Sequence, residues 1–165
     1  MLRYLSVSNL AVVNRLQLEF RRGLNILSGE TGSGKSIIID AVGLILGEKA
    51  SPDIIRTGEN KAVVEGVFGI EANAPLIEIL TKSGIDVDTE EVVIRREVQF
   101  SGRGRIFVNN QSATLSLLKQ IQPHLIDIHG QGDQQSLLMP DAHMRHFDAF
   151  VDAEKLRQEI ECMTE

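Results

Sequence analysis

Cysteine and long apolar runs are scarce in this sequence, and each shortage excludes a class of protein. Among 165 residues Cys162 is the one cysteine, so no internal disulfide can form and nothing indicates an oxidising compartment. The longest apolar run is interrupted by Asp40 and Gly43, and no charged leader with a continuous apolar core opens the chain. A membrane span and a secretory signal are therefore not predicted, and we expect a cytoplasmic protein with no membrane partner.

Positive charge is also in short supply, because 17 lysines and arginines face 23 acidic residues and leave a net charge of −6. Binding nucleic acid through overall charge requires a basic surface that displaces counterions, so the composition argues against that mode. The hydrophobic fraction of 42% and the charged fraction of 24% are typical of a folded globular domain. The few basic clusters are interpreted as solvated residues at strand ends or in loops: Arg21-Arg22, Arg95-Arg96, and Arg103 with Arg105.

What the sequence does contain is a phosphate-binding pattern, G-x-x-x-x-G-K-[ST], at residues 29–36 (GETGSGKS). Its glycines let the backbone bend until several N–H groups point inward toward a phosphate. Lys35 can reach the β and γ phosphates, and the Ser36 hydroxyl can coordinate Mg²⁺. The predicted nucleotide-binding residues are Gly29, Glu30, Thr31, Gly32, Ser33, Gly34, Lys35 and Ser36.

The residues around this pattern support it. Residues 24–28 (LNILS) predict a short buried strand before the loop, and residues 36–46 predict a largely apolar helix after it. The N-terminus of that helix would face the bound anion, where backbone N–H groups and the helix dipole favour negative charge.

The rest of the chain alternates between strand and helix patterns. Period-two alternation predicts antiparallel pairing of residues 2–7 with 15–20, and a hairpin of residues 91–98 with 105–109. The remaining predicted elements are a β-rich run at 62–70, helices at 75–83 and from a Thr114 cap to Ile121, and a short strand at 125–128.

Four stretches carry a family resemblance: residues 5–10 (LSVSNL), 23–36 (GLNILSGETGSGKS), 104–109 (GRIFVN) and 125–131 (LIDIHGQ). In these residues the chain resembles the N-terminal head segment of RecN, a bacterial DNA double-strand-break repair ATPase related to the SMC proteins. The similarity spans nearly the whole chain. The Asp-Ile-His-Gly-Gln run is far more specific than a phosphate loop alone.

This resemblance implies an α/β fold of the P-loop NTPase class. The implied architecture is an ABC-type ATPase head lobe with a mixed sheet around the loop helix, an antiparallel β region and a C-terminal helical stub. Residues 1–139 would form the N-terminal lobe, and residues 140–165 would lead into a long antiparallel coiled coil. The head would be completed by a second chain segment beyond that coiled coil.

The resemblance also assigns residue roles. Gln131 would be the Q-loop residue that contacts Mg²⁺ and the attacking water, so Lys35 and Gln131 are the implied catalytic residues, and Ser36 and Gln131 the implied metal ligands. Arg56 would fall near the loop that couples nucleotide state to DNA or to an opposing head. The relatives often have His-Glu-His after Gly-Gln, whereas this chain has Gly132-Asp133-Gln134, which leaves those roles open.

The implied ligands are ATP and Mg²⁺, and the implied partners are the C-terminal half of the same head, a second head in a homodimer, and DNA. Such a protein would act in the cytoplasm, associated with the nucleoid. Neither an apolar run ending in Asp-Glu nor a Ser-Gly-Gly signature occurs in the sequence, and ABC heads need both for hydrolysis. We therefore expect this chain to bind Mg·ATP or ADP weakly or partially but to turn it over negligibly alone.

Two alternatives remain at this point. Residues 127–131 also fit the D-x-x-G-Q pattern of small GTPases, in which Asp127 would reach Mg²⁺ through water and Gln131 would position the nucleophile. Guanine recognition needs N-K-x-D, however, and Asn60-Lys61 is followed by Ala62 and Val63. The other alternative is a non-catalytic interaction module that keeps the loop only for its shape.

Overall fold

A six-stranded antiparallel sheet organises the part of the chain that the computed structural model describes, namely residues 1–30, 34–71, 73–87, 90–102, 104–126 and 128. The strands are Leu2–Leu10 (β1), Val13–Glu19 (β2), Lys61–Gly69 (β3), Glu91–Gln99 (β4), Arg105–Val108 (β5) and Gln111–Ser112 (β6). The helices are Lys35–Ile45 (α1), Ala74–Lys82 (α2) and Leu115–Ile121 (α3), with 3-10 turns at Pro52–Ile54 and Gln122–His124. The strand order is β2-β1-β3-β4-β5-β6.

Alternation along the central strands builds one buried face. On β3 the residues Ala62, Val64, Gly66 and Phe68 are buried, and Val63, Glu65 and Val67, which alternate with them, are partly exposed. Their neighbours on β4 follow the same alternation, with Phe68 opposite Val92 in the antiparallel register. Helix α1 lies against β1, β3 and β4, so the sheet presents its apolar face to the helix that follows the phosphate loop.

Gly66 lets α1 approach the sheet closely. A Cβ atom at this position would lie 2.5 Å from Cδ1 of Ile45 on α1, which is closer than carbon atoms can pack. Ile45 is itself fully buried, so it has little room to move aside. The missing side chain of Gly66 is therefore what allows the last turn of α1 to rest on β3.

Most of the predicted elements are confirmed, including both antiparallel pairs, the β-rich run, the loop helix and the two later helices. Thr114 caps α3 as predicted, because its side-chain oxygen accepts a hydrogen bond from the N–H of Leu117. Every strand pair in the described residues is antiparallel, so the predicted mixed sheet is not found there.

The two short strands predicted on either side of this core are wrong. Residues 24–28 have no strand pairing, and the side chains of Leu24 and Ile26 are 88% and 77% exposed. At the other end, Leu125 is buried but follows a 3-10 turn, and no strand is formed at 125, 126 or 128. A strand requires a partner strand, and none of the six strands described pairs with either segment. The predicted helical stub at 140–165 lies outside the described residues.

Within the described residues, no helix has both the length and the apolar character that crossing a membrane would require.

The cap of α2 is expected to contribute more stability than the cap of α3. Asn73 Oδ1 accepts a hydrogen bond from Leu76 N at 3.2 Å, and its Nδ2 donates to the carbonyl of His124 at 2.7 Å. Asn73→Ala should cost about 2 kcal/mol, roughly 1 for the cap and 1 for the second bond, whereas Thr114→Ala should cost about 1 kcal/mol. Urea unfolding of both variants checks this, and equal losses would show that the bond to His124 contributes nothing.

Candidate nucleotide phosphate site

The segment that enters the phosphate loop is held by one asparagine. Asn25 Oδ1 accepts a hydrogen bond from the N–H of Arg21 at 3.1 Å, and Nδ2 donates to the carbonyls of Arg21 at 2.8 Å and Gly23 at 3.2 Å. These bonds close a turn directly after β2. The turn fixes the direction in which the chain leaves the sheet for residues 24–30, which are exposed.

Helix α1 begins immediately after the loop, and its start suits an anion. Gly34 precedes the helix with φ +94°, a left-handed conformation that side chains other than glycine rarely adopt. Because Gly34 has no side chain, it makes no side-chain cap at the first turn, where the N–H of Ile37 bonds to the carbonyl of Gly34 at 3.1 Å. Uncapped N–H groups and the positive end of the helix dipole attract phosphate.

Lys35 is the first residue of α1 and bends back over the loop. Its ammonium group donates hydrogen bonds to the carbonyls of Gly29 and Glu30, the latter at 2.7 Å. The contacts tie the first pattern residues to the last and hold a positive charge beside the uncapped turn. An ammonium group carries three donors, so it can exchange carbonyl oxygens for phosphate oxygens without losing hydrogen bonding.

Ser36 follows in the first turn of α1 with an exposed side chain. Magnesium is bound through one or two protein oxygens together with substrate phosphates and water, so a single hydroxyl beside a phosphate cradle fits this ion. No group of three or more His, Cys, Asp or Glu side chains that could hold a metal by itself occurs among the residues that the structure describes. The donors present therefore fit Mg²⁺ that arrives with a nucleotide.

Several predicted site residues lie outside the described residues. These are Thr31, Gly32 and Ser33 in the loop, and Asp127, Gln131, Asp133 and Gln134 after α3. Their assigned roles remain predictions. The structure brings together Gly29, Glu30, Gly34, Lys35 and Ser36 at the start of α1.

Arg56 is placed against the hairpin turn between β1 and β2. Its backbone N–H bonds to the carbonyl of Asn9 at 3.0 Å, and its Nη1 donates to the carbonyl of Val12 at 2.6 Å. Asn9 in turn donates through Nδ2 to Glu59 at 3.1 Å. The loop that carries Arg56 is thus fastened to the end of the sheet.

Arg96 is buried against the end of α1, so its interpretation as a solvated residue is wrong. Its side chain is 7% exposed, and its Nη1 donates to the carbonyls of Leu44 at 2.6 Å and Glu48 at 2.5 Å, at the C-terminal end of α1. Burial lowers the pKa of Arg96, and the nearby Glu48 carboxylate opposes that effect. The signal was the period-two alternation of β4, which puts Arg96 on the same face as Ile94 and Val98.

Comparison with known protein families gives a match over most of the chain. The sequence profile described as AAA domain matches residues 4–162. The DNA repair protein RecN of Bacillus subtilis is 43% identical over 154 residues, covering 93% of this chain, and RecN of Halalkalibacterium halodurans is 41% identical over 151 residues, covering 92%. The chain spans 27% of the length of each of these relatives.

A solved structure shows the same fold. A chain from a study of ATP-driven dimerization and DNA-stimulated activation of SMC ATPases superimposes with a TM-score of 0.63 and 26% sequence identity. The match covers 87% of the present chain and 95% of that chain. The α/β fold of a P-loop ATPase head is thereby confirmed.

Proposed function

Because the chain belongs to the AAA domain family and is similar along nearly its whole length to RecN DNA repair proteins, we propose that it binds Mg·ATP as the N-terminal lobe of an SMC-like ATPase head. The observation that carries the proposal is the position of Lys35, whose ammonium lies over the loop beside an uncapped helix start. This arrangement places a cation at a helix N-terminus, which is where proteins commonly bind phosphate groups.

Each predicted site residue has a task in this proposal. Lys35 gives up its carbonyl contacts to hold the β and γ phosphates, and the amides from Gly29 to Ser36 surround the phosphate chain. The Ser36 hydroxyl and Gln131 hold the Mg²⁺ ion, which neutralises the phosphate charge when it is bound. Gln131 would also orient the attacking water in the complete head.

Exposed apolar residues near the loop indicate the surface on which the C-terminal half of the head would pack. Leu24, Ile26 and Leu27 are exposed before the loop, and Ile39 of α1 is 58% exposed. Exposed apolar patches on folded proteins mark interaction surfaces, and we refer to these four residues as the patch. Since this chain matches only 27% of the length of its RecN relative, we propose that the C-terminal half of the same head covers the patch.

In the complete protein, ATP would lie between two heads and hold them together, and hydrolysis would release them. This cycle would make the protein a nucleotide-gated clamp on DNA in double-strand-break repair and recombination. The related SMC ATPase was solved in a study of ATP-driven dimerization, which supports the same use of nucleotide here. The protein would act in the cytoplasm in association with the nucleoid.

A small GTPase is not favoured, because the RecN relatives and the SMC head account for nearly the whole chain. A comparison of ATP with GTP in one binding assay separates the two. Tighter binding of GTP would reject the ATPase proposal. An interaction module without nucleotide would show no binding at millimolar Mg·ATP.

Calorimetry with Lys35→Ala tests the proposal directly. We expect wild-type chain to bind Mg·ATP and Lys35→Ala to bind roughly 10- to 100-fold more weakly, because a hydrogen bond to a charged group contributes about 1.5–3 kcal/mol. The matched control is Lys82→Ala, an exposed lysine that pairs with Glu78 on α2 away from the loop. Equal affinity of wild type and Lys35→Ala would contradict the assignment.

A further inference from the structure

Arg96 is the one charged side chain buried in the part of the chain that the structure describes. No ion pair joins its guanidinium to a carboxylate there. A buried cation is costly unless its donors find good acceptors. It finds them in the carbonyls of Leu44 and Glu48, which lie where α1 ends and the following loop begins.

The backbone that carries Arg96 is held in the middle of the sheet. Arg96 lies in β4 opposite Val64 of β3 on one side and Ile106 of β5 on the other, so its backbone is fixed by strands on both sides. The last carbonyls of a helix lack partners within the helix and carry its negative dipole end, so a cation there is favourable. Arg96 therefore fastens the C-terminal end of α1 to the middle of the sheet.

The two ends of α1 are held differently. The buried residues of α1 all belong to its C-terminal half, 41–45, whereas 35–40 are partly or fully exposed. The C-terminal end of α1 is therefore fixed by burial, and Lys35 lies at the opposite, more exposed end. For a helix of 11 residues, a tilt of about 5° at the fixed end displaces the first residue by roughly 1.3 Å, given a rise of about 1.5 Å per residue.

We propose that Arg96 is a positioning residue for the phosphate loop: by fixing the C-terminal end of α1 on β4, it determines where the other end places Lys35 and the loop amides. This proposal rests on the nucleotide-binding function proposed above. Displacements of about 1 Å at a reacting group commonly cost about a hundredfold in rate, so contacts this sensitive need a fixed support. Arg96 itself does not touch the nucleotide.

The test compares Mg·ATP affinity among folded variants of the chain by calorimetry. Arg96→Met keeps the side-chain length and removes the donors, and it should weaken binding by about tenfold or more. Arg96→Lys should stay within about threefold of wild type, because Nη1 alone makes both bonds and one ammonium can replace it. Rescue by lysine separates a positioning role from a requirement for bulk in the core.

Val92→Ala is the matched control, since Val92 is buried on the same strand but does not bond to α1. It should lower the melting temperature while leaving the affinity for Mg·ATP unchanged. Wild-type affinity in Arg96→Met, or an equal loss in Val92→Ala, would overturn the proposal. If Arg96→Met does not fold, Arg96→Leu, which also lacks donors, takes its place with the same criterion.

A measurement on the wild type needs no variant. Nucleotide binding and the attachment of α1 to β4 by Arg96 must stabilise each other by thermodynamic reciprocity. Mg·ATP should therefore slow amide hydrogen exchange at residues 44–48, at the C-terminal end of α1. Unchanged exchange there in a protein that binds Mg·ATP would reject the proposal for Arg96 alone. Failure of the wild type to bind Mg·ATP would instead reject the proposed function.

Discussion

Phe68→Ala should lower the free energy of unfolding by about 3–5 kcal/mol, the range found when a buried phenylalanine is truncated. Phe68 lies on the central strand β3, is fully buried and is the largest side chain of the core. Its ring also packs beside Gly66, where a Cβ would lie 3.2 Å from it. Truncation therefore removes apolar contacts and leaves a cavity under α1 that the close-packed sheet cannot fill.

Phe100→Ala is the matched control for this prediction. Phe100 follows β4 and is 72% exposed, so the same chemical change should alter stability by no more than about 0.5 kcal/mol. Urea unfolding monitored by circular dichroism measures both. A loss below about 1 kcal/mol in Phe68→Ala would mean that the sheet face described here is not the core of the folded protein.

Phosphate release from ATP should stay near background with this chain alone and should rise by at least about a hundredfold when the C-terminal head segment of a RecN relative is added. The reason is chemical: the sequence has no Asp-Glu pair after an apolar run and no Ser-Gly-Gly signature. Each transition-state group that is missing commonly costs about 10²–10³ in rate, so the absence of two leaves little. The experiment thus separates ATP binding by this chain from ATP hydrolysis, which needs the added C-terminal segment.

The control for this experiment is Lys35→Ala in the reconstituted mixture, which should return phosphate release to background. A phosphate release rate from the chain alone that disappears in Lys35→Ala would contradict the prediction, because it would show a complete catalytic site in these residues. Failure of the added segment to stimulate would argue against the patch of Leu24, Ile26, Leu27 and Ile39 as the surface that receives it.

Sequence periodicity predicted the sheet well because one face of it is covered and the other is not. In β3 and β4 every second residue is buried, and this alternation is visible in the amino-acid order itself. The same reasoning failed for residues 24–28, because an apolar run predicts burial but does not identify the segment that packs against it. None of the strands in the described residues pairs with residues 24–28.

Part of the candidate site could likewise be predicted from the sequence, and part could not. The pattern at 29–36 predicts Lys35 and Ser36 as site residues, since the chemistry of phosphate fixes both residue types and spacing. It could not reveal that the Lys35 ammonium bonds to the carbonyl of Glu30, which depends on loop geometry. Arg96 was missed because two adjacent arginines suggest a solvated surface, while only one of them occupies the apolar face of β4.

Gly66 limits which amino acids can occupy its position in β3. Every other amino acid adds at least a Cβ, and a Cβ at this position collides with Ile45. No coding change at this position can therefore be neutral in shape, whatever its polarity or charge. Any residue other than glycine at this position of β3 would therefore require the buried Ile45 side chain, and with it the last turn of α1, to shift.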